Sequence, residues 1–127
     1  MRENDISYQI RKAIFNVYNG LGPGLLESVY QKVLIYELEE LGLEVRNEVA
    51  IPILYNNVVF DCNLRIDILV ENLVIIELKS VRSLEDIHYK QLMTYLRLAD
   101  KRLGILVNFN TDRILDSIKR VVNKLEE

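Results

Sequence analysis

The chain has 127 residues, half of them hydrophobic, with only 5 Gly and 2 Pro; this fits one globular domain over residues 1–127 and excludes disordered, collagen-like and low-complexity classes. A single cysteine, Cys62, and a single histidine, His88, exclude a disulfide framework and a thiol- or imidazole-built metal site, so any metal must be held mostly by oxygen, which points to Mg2+ or Mn2+. The formal net charge of −3 excludes a general cationic coat for nucleic acid, although Lys79 to Arg120 holds nine basic residues against five acidic ones, a local surplus that either salt-bridged solvated surface or an anion-binding face would explain.

The N-terminus, Met1-Arg2-Glu3-Asn4-Asp5, leads into no signal-peptide-like apolar run. No aliphatic stretch approaches the ~20 residues that cross a bilayer, so a cytoplasmic protein without a membrane partner is expected. Ile10, Ala13, Ile14 and Val17 recur at helical spacing and predict a helix over 6–18, capped by Asp5 or Ser7. Gly20-Leu21-Gly22-Pro23-Gly24 breaks it. A second helix is expected over 25–41, with Gly42 as its stop. The period then changes. Residues 45–55 are rich in β-formers, Asn56-Asn57 suits a hairpin turn, and 58–60 resumes as strand. Residues 64–70 continue that strand or form another, and 73–79 follow after a turn at Glu71-Asn72. Ser83 precedes a helix over 84–99, with Glu85 and Asp86 suited to its positive end. Residues 103–109 read as a strand buried on both faces. Ile114, Ile118, Val121, Val122 and Leu125 predict a last helix over 113–125. The expected order is ααβββαβα.

The segment 63–79 carries three charges inside strands that otherwise read as core: Asp67, Glu77 and Lys79. Burying them is costly unless they pair or bind a metal. Alternation puts Glu77 and Lys79 on one face. A hairpin that opposes Val70 to Val74, Ile68 to Ile76 and Ile66 to Leu78 collects six aliphatics on one side, with a three-residue loop at 71–73. The same register sets Asp67 across from Glu77, with Lys79 beside them and Arg65 across from Lys79. Two facing carboxylates repel without a cation. The alternative is an ion cluster on a half-exposed sheet face.

Two further groupings accompany this hairpin. Glu27 and Tyr30 are three apart on the second helix, where Glu27 either complements the helix dipole or adds a carboxylate to a metal site. His88, Gln91 and Tyr95 form a polar stripe on the helix after Lys79, either surface or hydrogen-bonding to phosphate or to the carboxylates.

Asp67, nine residues, then Glu77-Leu78-Lys79 resembles the D…(D/E)xK core of the PD-(D/E)XK nuclease superfamily, with Ile66 standing where the family often has Pro. Gln91…Tyr95 is similar to the QxxxY motif of its RecB-type branch, and Gly24…Glu27…Tyr30 resembles the signature of the bacterial GxxExxY proteins. The likeness runs from about 6 to 125. It implies a restriction-endonuclease-like α/β core, a mixed central sheet flanked by helices. It implies Mg2+ or Mn2+ held by Asp67, Glu77, the Leu78 backbone carbonyl and Glu27, with Lys79 acting on the attacking water or the developing charge. Gln91, Tyr95, Tyr30, His88, Arg65 and Arg82 would support the site or meet substrate. The implied activity is divalent-metal-dependent hydrolysis of nucleic-acid phosphodiesters, DNA rather than RNA. The alternative is a catalytically silent module of the same fold that binds nucleic acid or a protein partner.

Overall fold

A computed structural model describes residues 2–126. Helix α1 (Glu3–Leu21) buries Ile6, Ile10, Ala13, Ile14 and Val17 along one stripe. Its first turn holds Asp5, whose carboxylate accepts the Arg2 N–H, so Asp5 closes the helix start from inside. The helix ends at Gly22, whose φ of 69° is open to glycine at little cost. Helix α2 (Glu27–Glu40) buries Tyr30, Leu34 and Leu38, each one turn apart.

Strands β1 (Val45–Ala50), β2 (Ile53–Tyr55), β3 (Val58–Phe60), β4 (Arg65–Val70) and β5 (Val74–Lys79) follow, then α3 (Asp86–Ala99), β6 (Leu103–Asn108) and β7 (Ile118–Val122). The run over 45–55 is two strands, interrupted at Ile51-Pro52, where proline withholds an N–H from the ladder. Glu85 rather than Ser83 stands at the N-terminal cap of α3. Five strands form one sheet in the order β1-β4-β5-β6-β7. All neighbours are antiparallel except β5 and β6, which are parallel and joined through α3. Strands β2 and β3 make a separate hairpin turning on Asn56-Asn57, both at positive φ.

The sheet separates two apolar layers. One packs α1 and α2 on Ile68, Val70, Val74, Ile76 and Leu78; the other packs α3 on Leu69, Ile75 and Leu106. This is the expected mixed sheet with helices on both sides. All six residues of β6 are buried, as its apolar run implied. Its Gly104 lies under Leu92 of α3, where an added Cβ would stand 2.8 Å from Leu92 Cδ1, so glycine sets how closely α3 approaches.

The last element departs from expectation. Residues 113–125 are not a helix: Ile114–Ser117 makes one turn of 3-10 helix, and Ile118–Val122 is β7, antiparallel to β6 from Leu103↔Val122 to Val107↔Ile118. The order therefore ends in a strand. Ile118, Val121 and Val122 fit a helical stripe, but they are β-branched, and the second edge of buried β6 needs donors and acceptors.

The hairpin register is the expected one over Ile68↔Ile76, Leu69↔Ile75 and Val70↔Val74, with Glu71 and Asn72 at positive φ in the loop. Ile66 does not share the face of the other five aliphatics. It packs in the layer under α3, with Ile51 and Leu69. Opposite this stretch Glu48 of β1 sits at φ 49°, and β1 pairs with β4 on either side of the Glu48–Asp67 position. A local distortion there re-aims β4 just before Asp67.

Candidate active site

Where regular pairing of β4 with β5 stops, the two carboxylates take over as acceptors. The Asp67 N–H donates to Glu77 Oε1 at 3.2 Å, and the Leu78 N–H donates to Asp67 Oδ2 at 2.9 Å. Each acid is thus held by the backbone of the opposite strand. In an extended strand N–H and C=O of one residue point to the same side, so the Leu78 carbonyl also faces Asp67.

Glu77 is only 7% exposed, and Asp67 is half-buried beside it. Burial, then the Asp67 charge, pushes the Glu77 carboxyl up to about 9. Burial is also the main cause raising Asp67, with the Glu48 charge adding to it; the Leu78 N–H opposes the rise. Lys79 lowers both, but among the described residues it makes no ion pair within 4.0 Å, so it does not discharge the cost. Without a cation, burial and the neighbouring charge favour the protonated form of Glu77.

Tyr95 is buried in the α3 layer, and burial followed by the Glu77 charge raises its phenol. Gln91 Nε2 donates to Tyr95 Oη at 3.1 Å. Two of the three residues of the stripe are therefore linked, with the phenol close enough to the carboxylates to feel them. His88 is engaged elsewhere. Its Nδ1 accepts the Glu85 N–H at 3.0 Å and closes the start of α3.

Glu27 occupies the first turn of α2, where its Oε2 accepts the Ser80 N–H at 3.3 Å. It therefore stands at the exit of β5, one residue beyond Lys79. Among the described residues no three His, Cys, Asp or Glu side chains converge as an ion-holding group, so the structure brings together the pair Asp67–Glu77 and leaves Glu27 at its rim. Tyr30 is fully buried and stacks on Phe109 with ring centroids 4.3 Å apart. Its Oη donates to Gly22 O and accepts the Leu25 N–H, which fixes the loop that delivers Glu27. Tyr30 supports the site from within the core.

The pairing of β4 with β5 runs only from Ile68↔Ile76 to Val70↔Val74 and does not reach Arg65 and Lys79. On its other side Arg65 opposes Ala50 of β1, and its guanidinium lies 3.8 Å from Asp61 and donates to the Leu64 carbonyl. Arg82 is exposed and lines a cleft of about 280 Å³ with Ser83, Tyr89, Asn108, Asn110 and Lys119. Asn108, paired with Lys79 across β5 and β6, is buried; its amide bonds both Val81 N–H and Val81 O and ties down the loop that leaves Lys79.

Two neighbours escaped the sequence reading. Gln31 Nε2 donates to the Asp67 carbonyl at 3.1 Å and to Glu48 Oε1 at 3.4 Å. Gln31 lies four residues after Glu27, so a polar i, i+4 stripe on α2 was the available signal. Glu48 is visible only as a charge within a β-rich run; its place opposite Asp67 depends on long-range register.

A family model described as the PD-(D/E)XK nuclease superfamily matches residues 4–121. The chain belongs to the PD-(D/E)XK nuclease superfamily. No curated protein and no solved structure gives a match. Asp67 lies on β4, and Glu77-Leu78-Lys79 on β5, the strand that follows it. No helix of the described residues is long and apolar enough to cross a membrane.

Proposed function

We propose that this chain hydrolyses phosphodiester bonds of nucleic acid, DNA rather than RNA, with a divalent cation, Mg2+ or Mn2+. The observation that carries the reading is the buried Asp67–Glu77 pair, whose acids are fixed by opposing backbone N–H groups and have no ion-pair partner among the described residues. Two carboxyls raised by burial inside a sheet, one of them raised further by the other's charge, are destabilising unless a cation neutralises both.

The donor set fits a hard cation: Asp67, Glu77 and the Leu78 carbonyl are all oxygen donors. Glu27 would add its carboxylate from the α2 rim through an intervening water. When bound, such an ion supplies charge neutralisation at phosphate and a lowered pKa for water. The chain's own residues do the rest. Lys79, beside the acids, orients the attacking water and meets negative charge developing on phosphate. Tyr95, bonded by Gln91, fixes the α3 wall of the site. Tyr30 holds the Gly22–Leu25 loop and so Glu27, which gives the Gly24…Glu27…Tyr30 spacing of the GxxExxY proteins a physical reason. Arg82 and Lys119 line the cleft past β5 and would track the phosphate backbone.

The test is cleavage of labelled single- and double-stranded DNA and RNA in Mg2+, in Mn2+ and in chelator. Wild type cleaves DNA with metal, while Glu77→Ala and Lys79→Ala reduce the rate by about 10³-fold or more and keep their fold. No cleavage of any substrate by wild type leaves the silent-module reading; full activity in the alanine variants overturns the residue assignment.

A further inference from the structure

Among the described residues, Asp67 is the one position of β4 that pairs with neither neighbouring strand. Strand β1 pairs with Arg65 and Ile66 and again from Ile68 to Val70, and β5 pairs only from Ile68 to Val70. The strand also turns over at this point. Residues two apart on an unbroken strand share a face, yet Ile66 lies in the layer under α3 and Ile68 in the layer under α1 and α2. Glu48, which the register of β1 would set opposite Asp67, is at φ 49°, a costly conformation for a residue with a Cβ.

Side chains take over where the ladder stops. Two of these bonds belong to the acid pair itself: the Asp67 N–H donates to Glu77 Oε1, and Asp67 Oδ2 accepts the Leu78 N–H. The third comes from outside the sheet. Gln31 Nε2 on α2 donates to the Asp67 carbonyl at 3.1 Å and to Glu48 Oε1 at 3.4 Å. A carbonyl can only accept, so the NH2 end of the amide has to face it. Gln31 is well placed to act as an anchor, because Tyr30 just before it is fully buried and fixes this turn of α2 in the core.

We propose that Gln31 is the positioning residue of Asp67. Its amide replaces the ladder bond that the Asp67 carbonyl lacks and tethers Glu48 on the β1 side. The segment is thereby kept turned over, with the Asp67 carboxylate aimed at Leu78 and Glu77. Removing the amide lets residues 66–68 relax toward regular pairing with β1, which re-aims the carboxylate. A neutral amide suits the place, since Lys or Arg would donate too but would set a charge beside the acids. What the carboxylate is positioned for, an ion shared with Glu77, rests on the nuclease reading; the positioning itself does not.

Amide hydrogen exchange of the full chain, followed by NMR in chelator, reads the positioning without any metal. Gln31→Met keeps the length of the side chain and removes its donors. In this variant the Leu78 amide exchanges about tenfold faster relative to that of Ile105, a core residue of β6 that reports global opening. Calorimetric titration of Mn2+ into the same variant shows binding weakened by about tenfold or more. Leu38→Val, a truncation of the core near the far end of α2, speeds Leu78 and Ile105 alike and leaves Mn2+ affinity unchanged. Should Gln31→Met not fold, Gln31→Asn, whose amide is one methylene short of both acceptors, carries the same expectations. Unchanged relative exchange at Leu78 overturns the proposal, as does the same selective loss in Leu38→Val. Unchanged Mn2+ affinity in a variant that has lost the Leu78 protection also overturns it. A wild type that binds no Mn2+ overturns the nuclease reading instead, and the exchange ratio alone then decides the positioning.

Discussion

The two hairpins of this chain, β2–β3 and β4–β5, are neighbours in sequence and opposites in chemistry. Both turn on residues at positive φ, Asn56-Asn57 in one and Glu71-Asn72 in the other. The β4–β5 hairpin lies inside the sheet and carries acids where apolar side chains would be cheaper. The β2–β3 hairpin lies outside it and carries apolar side chains where polar ones would be cheaper. Each mismatch has a physical cost, and on the function proposed above a cation would remove that of the buried acids.

The contrast is broken or sharpened by substitutions on each side. Ile76→Ala, in the fully buried layer beneath Glu77, costs about 2–5 kcal/mol in urea unfolding through the cavity it leaves. A loss below 1 kcal/mol would mean that β5 is not core. The pH dependence comes next. Glu77 is raised in the folded chain from 4.5 to about 9, so between those values the folded state binds more protons than the unfolded one. Stability in chelator therefore falls as pH rises, by up to about 3 kcal/mol between pH 5.5 and 8. Glu77→Gln flattens that slope and raises the melting temperature at pH 8 without metal; a wild type that gains stability with pH over this window contradicts the buried neutral acid. Tyr30→Phe removes the hydroxyl that bonds Gly22 O and Leu25 N–H, at about 1–3 kcal/mol measured by denaturant unfolding. A Tyr30 that only filled space would tolerate the change. The smallest effect is Val59→Ala on the β2–β3 hairpin, within about 0.5 kcal/mol in denaturant unfolding, since the side chain packs on no core layer.

How much was legible in the sequence follows the same division. The register of β4 on β5 could be read because six aliphatics had to be buried and only one alignment sorted the acids from them. It fails at Ile66, where β4 is bent against Glu48, because a distortion set by a third strand leaves no mark in the local pattern. The Asp67–Glu77 pairing was legible for the same reason as the register. Gln31 and Glu48 were not, since their approach to Asp67 depends on how α2 and β1 dock. Tyr30 was legible as important by its spacing from Glu27, but its direction, into the core against Phe109, needed the fold. The last strand was misread because Ile118, Val121 and Val122 satisfy a helical period and a β propensity at once. The empty edge of β6 decided between them, and that edge exists only in three dimensions.

Calorimetric titration of Mn2+ into the chain at pH 8, repeated in buffers of different ionisation enthalpy, tests the central claim most directly. The buried pair predicts saturable binding accompanied by release of about one proton, as a carboxyl proton leaves when the ion enters. Glu77→Gln loses both the binding and the proton. Absence of binding in the wild type, or binding of equal strength in Glu77→Gln, would contradict the account.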